Sequence, residues 1–156
     1  MNIVKQISAG GIVYKRIQNS ESRIQNVLWL VCQHSQHKGW VFPKGFIGDK
    51  DKNEKPETAA LRETQEEGGI VAKIIYDKPI TVSYSYFWKN QQIEKTVYYF
   101  LMEYVSGDPK DHDWEMSDAK FVGEKEVINI LTYQPDKDAF QQALKQFRHL
   151  SFENTL

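Results

Sequence analysis

The chain carries almost no cysteine, no long apolar run and no excess of either charge, and each shortage removes a class of explanation. Cys32 is the single cysteine in 156 residues, so no internal disulfide can form. Its place in the run Val27-Leu28-Trp29-Leu30-Val31-Cys32 predicts a buried, unreactive thiol. No stretch reaches the roughly 18 apolar residues needed to span a bilayer. The opening Met1-Asn2-Ile3-Val4-Lys5-Gln6 lacks the apolar segment of a secretory leader, so a cytoplasmic protein with no membrane partner is expected. Lysine and arginine (20) nearly balance aspartate and glutamate (21), a net charge of -1. No global field draws the chain to nucleic acid, and any affinity for phosphate must come from a local site. Among the histidines, His34 and His37 form only an i,i+3 pair near a strand end, which argues against zinc. No repeat and no Pro/Gly/Ser linker divides the sequence, so residues 1–156 read as one domain, as a monomer or homodimer.

What is present is a pattern of strands with a few helices. Ala9 to Tyr14, Val27 to Cys32 and Trp40-Val41-Phe42 read as extended pieces, with Gln18 to Gln25 as a polar hairpin loop. Pro56 to about Glu67 reads as a helix, opened by proline in its first turn and stopped by Gly68-Gly69. Val71 to Tyr76, Ile80 to Trp88, Thr96 to Val105 and Ala119 to Val122 are strand-like, and Thr81 to Trp88 alternates as a strand with one wet face. Helices follow over about Glu124 to Leu131 and about Asp136 to Leu150. In the last, Phe140, Ala143, Leu144 and Phe147 form one apolar stripe. Helices among mainly antiparallel strands predict an α/β fold with a mixed sheet packed between helices.

The chemistry concentrates in Arg62-Glu63-Thr64-Gln65-Glu66-Glu67-Gly68-Gly69. At about 100° per residue, Glu63, Glu66 and Glu67 share one helix face, and Leu61 points nearly opposite, toward a sheet on the other side. Like charges at these spacings repel, and Glu66 and Glu67 lie in the last turn, where the helix dipole favours cations. Arg62, at i,i+4 from Glu66, is the only local compensation. Carboxylate oxygens in this arrangement suit Mg²⁺ or Mn²⁺, while a solvated acidic face is the plain alternative.

The spacing Gly48-x5-Glu54-x7-Arg62-Glu63-x2-Glu66-Glu67-x-Gly69-x resembles the Nudix box. Gly10-Gly11, Trp40-Val-Phe-Pro-Lys-Gly45 and the closing strand and helices are also similar to that family, so the resemblance covers most of the chain. It implies an α/β/α sandwich, with the box forming a loop and helix, and hydrolysis of a phosphoanhydride bond with Mg²⁺ or Mn²⁺. In its terms Glu66 and Glu67 are the main metal ligands, Glu63 completes the site or orients water, and Arg62 holds a box carboxylate. Glu54 bonds the loop or Arg62. The glycine carbonyl at the metal is expected from Gly45, although literal counting selects Gly48. Thr64 departs from the aliphatic residue more common there. Glu115, a few residues before Phe121, is the expected further base or ligand, with Asp111, Asp113 and Asp118 competing for the role.

Lys44 and Lys95 are the expected phosphate contacts. Tyr133 either approaches substrate or caps a helix as a buried residue. Tyr84, Tyr86, Trp88 and Trp40 are core aromatics by default, with base stacking as the alternative. Phe42-Pro-Lys-Gly45, Lys95-Thr-Val-Tyr98 and Leu131-Thr-Tyr133 most resemble the dinucleoside polyphosphate hydrolase branch, so a nucleotide such as diadenosine tetraphosphate is the expected partner. A nucleoside triphosphate or ADP-ribose pyrophosphatase stays open, and an inositol pyrophosphate hydrolase is less attractive without a strongly basic surface. The reading from a different class is a Nudix-fold nucleotide-binding module that does not turn over its ligand. The presence of all three box glutamates favours an enzyme.

Overall fold

The computed structural model describes residues 2–18, 25–48 and 51–154. Residues 19–24, the centre of the expected Gln18 to Gln25 loop, lie outside the described residues. The elements are β1 (Ile3–Gln18), β2 (Gln25–His34), β3 (Trp40–Val41), β4 (Lys44–Phe46), α1 (Pro56–Gly68), β5 (Ile70–Ile74), β6 (Ile80–Trp88), β7 (Gln91–Gly107), β8 (Met116–Val122), α2 (Glu124–Ile130) and α3 (Gln134–Asn154), with a short 3₁₀ turn at Pro109–Asp111. Long β1 and β7 run parallel through the middle, from Ile3 against Gln92 to Tyr14 against Glu103. Every other pairing is antiparallel: β2 and β4 on β1, β3 and β8 on β2, and β5 and β6 on β7. The sheet is mixed, in keeping with the strand-rich pattern of the sequence.

Two apolar layers divide along the alternation of the strands, because successive residues point to opposite faces. Ile12, Trp29, Val31, Tyr99 and Leu101 pack against Val127 of α2 and against Ala139, Phe140, Ala143 and Leu144 of α3. Val13, Leu30, Cys32, Phe100 and Met102 pack against Ala59 and Ala60 of α1. Helices thus cover both faces, an α/β/α sandwich. The thiol of Cys32 is buried, donates a weak bond to the Glu67 carbonyl at 3.7 Å, and has its pKa pushed up by burial.

Two expectations about orientation are corrected. Leu61 is 37% exposed, and α1 buries Ala59, Ala60, Glu63, Thr64, Glu67 and Gly68 instead. The reason is size: alanine, threonine and glycine let the helix approach the sheet closely, which carries the two glutamates inward, whereas leucine would hold it off. Tyr133 is 42% exposed and is no buried cap. The long strands also extend beyond their apolar signals, because polar residues such as Gln91 and Gln92 still pair across the ladder with β6.

Candidate active site

The glutamate wall begins with how α1 is held. Pro56 occupies the first turn, and Gly69 ends the helix in the left-handed conformation (φ 75°), its N–H donating to the Gln65 carbonyl. Ahead of α1, Gly48 adopts φ 81° and its N–H donates 3.1 Å to Glu54 Oε1. Glu54 accepts from Arg62 Nε at 2.8 Å and from Arg62 Nη2 at 3.0 Å, so the expectation that Glu54 bonds the loop or Arg62 resolves to both. Arg62 Nη1 also donates to Glu63 at 2.7 Å and to Glu66 at 3.4 Å. These bonds to Glu54 and Glu63, against the opposing cost of burial, raise the Arg62 pKa.

The two candidate glycines have different surroundings. A Cβ at Gly45 would overlap the Glu63 carboxylate, so only glycine permits β4 to lie this close to α1. Gly48 instead makes the turn that presents its N–H to Glu54. The glycine beside the carboxylates is Gly45.

A cleft of about 1230 Å³ opens between α1, β4, the ends of β6 and β7, and the segment before β8. Lys44, Gly45, Arg62, Glu63, Glu66, Glu67, Lys95, Glu115 and Tyr133 all line it. Glu67 is 4% exposed and accepts from the Lys44 backbone N–H at 3.2 Å. Burial, opposed by Lys44 and reinforced by Glu63, pushes its pKa up to about 8. Burial also raises Glu63, against the pull of Arg62. Buried carboxylates that resist ionisation are a favourable setting for a cation, because a bound charge offsets the desolvation.

Among the described residues no three His, Cys, Asp or Glu groups converge on one point as they stand. The Arg62 guanidinium bonds Glu63 and Glu66, and the Lys44 N–H bonds Glu67. The donor chemistry fits Mg²⁺ or Mn²⁺, with Glu63, Glu66 and Glu67 as the candidate ligands and the Gly45 carbonyl beside them.

Two lysines line the same cleft. Burial disfavours the Lys44 charge, yet Asp136, Tyr84, Glu67 and Tyr133 more than compensate and its pKa lies above the ordinary value. Burial, together with Lys44, lowers Lys95 to about 8. Lys95 lies within β7 and does not open it. Glu115 is exposed at the rim, on a segment tied to the end of α1 by a bond from the Asp113 N–H to the Glu66 carbonyl at 2.8 Å. Asp113 braces that segment by accepting from the Glu115 N–H at 3.1 Å, and Asp111 and Asp118 do not line the cleft. Tyr84 and Tyr86 line it; Trp88 and Trp40 do not.

Sequence reasoning missed four contributors. Ser8 is fully buried at the cleft floor. Asp136, also buried, accepts from Tyr99 OH at 2.7 Å. In a helix first turn, an aspartate reads simply as a partner for the dipole. His37 stacks on His34 with ring centroids 4.1 Å apart, and its Nδ1 meets Tyr133 OH at 3.0 Å. Trp114, 79% exposed, stands beside Glu115 at the rim.

A helix wall of glutamates, held by one arginine and sharing a cleft with two lysines, is an arrangement that holds a polyanion together with a cation. The NUDIX domain family matches residues 9–144 of this chain. The chain is 27% identical over 138 residues to a protein designated mutator protein MutT4 in Mycobacterium tuberculosis, covering 88% of this chain and 54% of that one, so it spans about half that relative's length. It is 32% identical over 121 residues to the RNA pyrophosphohydrolase of a Nitratiruptor species, covering 70% of this chain and 74% of that one. Among solved structures, the C. elegans Ap4A hydrolase binary complex superposes with a TM-score of 0.65 at 23% identity, covering 92% of this chain and 98% of that one. The chain belongs to the NUDIX domain family. Members of this family generally use divalent metal ions.

Proposed function

We propose that this protein hydrolyses dinucleoside polyphosphates such as diadenosine tetraphosphate, in a reaction dependent on Mg²⁺ or Mn²⁺. The observation that carries the reading is that one cleft is lined by Glu63, Glu66 and Glu67 together with the two lysines Lys44 and Lys95. When bound, a divalent cation neutralises diphosphate charge and lowers the pKa of water. Glu63, Glu66 and Glu67 would hold it, with the Gly45 carbonyl beside them. Arg62 keeps the Glu63 and Glu66 carboxylates on the cleft side of α1, and Glu54 anchors Arg62 to the loop. Lys44 and Lys95 bind phosphate oxygens, orienting the chain for attack in line with the leaving phosphate. Glu115 takes the proton from the attacking water, since it lines the cleft near enough for its charge to act on Glu63 and Glu67.

The support is the cleft, the box residues and a fold shared with an Ap4A hydrolase. A second reading, removal of pyrophosphate from the 5′ end of RNA, is favoured by the 32% identity to an RNA pyrophosphohydrolase. The net charge of -1 weighs against a long nucleic-acid contact. Incubating diadenosine tetraphosphate, ADP-ribose, nucleoside triphosphates and a 5′-triphosphate RNA with Mg²⁺ or Mn²⁺ separates these readings. Diadenosine tetraphosphate is expected to be cleaved fastest, and preference for any other member would replace the assignment.

Two substitutions probe the assigned roles. Glu115→Gln should lower kcat by about 10²–10⁴-fold with little change in KM, because a proton acceptor acts mainly in the transition state. An unchanged rate would move that role to Glu63. Lys95→Ala should penalise diadenosine tetraphosphate more than ADP-ribose, narrowing the difference in kcat/KM. Two lysines can engage a four-phosphate chain, and a charge-assisted bond is worth about 1.5–3 kcal/mol. Because the Lys95 pKa lies near 8, its charge and this advantage should fade as pH rises above that value. Equal penalties on both substrates would remove Lys95 from phosphate binding.

A further inference from the structure

We propose that the hydroxyl of Ser8 is a phosphate contact of the cleft, donating a hydrogen bond to a non-bridging oxygen of the bound phosphate chain between Lys44 and Lys95. This rests on the reading of the cleft as a phosphate-chain site.

Ser8 is fully buried, lines the cleft, and its Oγ has no hydrogen-bond partner among the described residues. A hydroxyl withdrawn from water without a partner is costly, and proteins rarely keep one that nothing uses.

The register shows what surrounds it. Ser8 pairs with Phe46 of β4 and with Val97 of β7. Two residues along β1 in one direction, Gly10 pairs with Lys44; two in the other, Gln6 pairs with Lys95. Side chains two apart on a strand share a face, so Ser8 lies on the same sheet face as both lysines and diagonally between them. A neutral donor flanked by two cationic donors complements an oxyanion chain; a cationic or purely apolar ligand would leave the hydroxyl unmatched or the ammonium groups opposed. The mutual repulsion that helps to depress Lys95 is relieved by the same anion.

The side chains around the hydroxyl can yield to a ligand. Phe46 is 44% exposed, and Lys95 holds its ammonium 5.0 Å from the centre of that ring, with no ion pair among the described residues. An arriving phosphate offers Lys95 a stronger partner than the ring.

The test compares wild type with Ser8→Ala and Ser8→Cys, the thiol being a weak donor of similar size. Melting temperature is measured without ligand, and affinities for inorganic tripolyphosphate and ADP are measured by calorimetry with Mg²⁺ present. Both variants are expected to melt at or above the wild-type temperature, because an unpartnered buried hydroxyl is removed. Both are expected to bind tripolyphosphate about tenfold or more weakly. Unchanged affinity in variants that fold would overturn the proposal, as would a lower melting temperature with unchanged affinity, which would assign the hydroxyl to the protein's own stability. If wild type itself binds neither probe, the phosphate-chain reading falls and the Ser8 proposal with it. If wild type binds and the variants match it, only the Ser8 proposal falls.

Discussion

Replacing Glu67 by glutamine is expected to reduce kcat by about 10²–10⁴-fold, the equivalent of ~3–5 kcal/mol of transition-state stabilisation, while the ligand-free protein stays as stable as wild type or gains slightly. The two halves of this prediction have one cause. Glu67 is nearly fully buried, and burial, only partly offset by Lys44, raises its pKa to about 8. Near neutrality the ligand-free protein therefore holds this carboxyl mainly protonated, and a glutamine amide is a close mimic. The Lys44 N–H can donate to the amide oxygen as it does to Oε2. What glutamine cannot supply is an anionic oxygen for a cation.

The same shift fixes a pH signature. The folded pKa lies above the ordinary glutamate value of 4.5, so this group favours the fold fully below that value. Its contribution is lost as pH rises through about 8. Ligand-free wild type should lose melting temperature between these limits more steeply than Glu67→Gln. Protons and cation compete for the carboxylate, so the rise in melting temperature caused by Mg²⁺ should grow with pH in wild type and be smaller and less dependent on pH in the variant. A variant that melts far below wild type at pH 7 would make Glu67 a structural carboxylate and detach it from the chemistry.

The largest effect on stability is expected at Arg62. Its side chain is 19% exposed, and it pairs with Glu54 (5%) and Glu63 (9%) as well as with the more open Glu66. Arg62→Ala would remove the guanidinium bonded to the buried Glu54 and Glu63 carboxylates, which typically costs about 3–5 kcal/mol, or roughly 6–20 °C in a protein of this size. Arg62→Lys should fall between the two, because an ammonium keeps the charge and loses the fork that bonds Glu54 through two nitrogens. The effect should exceed that of any exposed pair, such as Arg148 with Glu124, where contributions are about 0–1 kcal/mol. Thermal unfolding of Arg62→Ala indistinguishable from wild type would show that the glutamates do not depend on this arginine.

Residues whose role follows from local spacing are legible in the sequence. The helix period alone groups Glu63, Glu66 and Glu67, and the α1 boundaries follow from Pro56 and Gly69. Its buried face does not follow, because by period and hydropathy the arc of Leu61 is the packing side. Only the approach permitted by Ala59, Ala60 and Gly68 turns the glutamates inward. Gly45 and Gly48 are ambiguous by counting and become distinct only with β4 set against Glu63. Ser8 and Asp136 are separated in the chain from the box, and their relation to it comes from long-range pairing of β1 with β4 and β7 and from the seating of α3 on the sheet. No local pattern encodes those contacts.

The most direct test of the account is product analysis after incubating the protein with diadenosine tetraphosphate and Mg²⁺ or Mn²⁺ in ¹⁸O-labelled water, with and without chelator. Cleavage into two nucleotides, one labelled on phosphate, abolished by chelation and slowed about 10²–10⁴-fold by Glu67→Gln, is the expected result. Tight binding of nucleotides with no cleavage of any in the panel, or cleavage that persists undiminished under chelation, would contradict it.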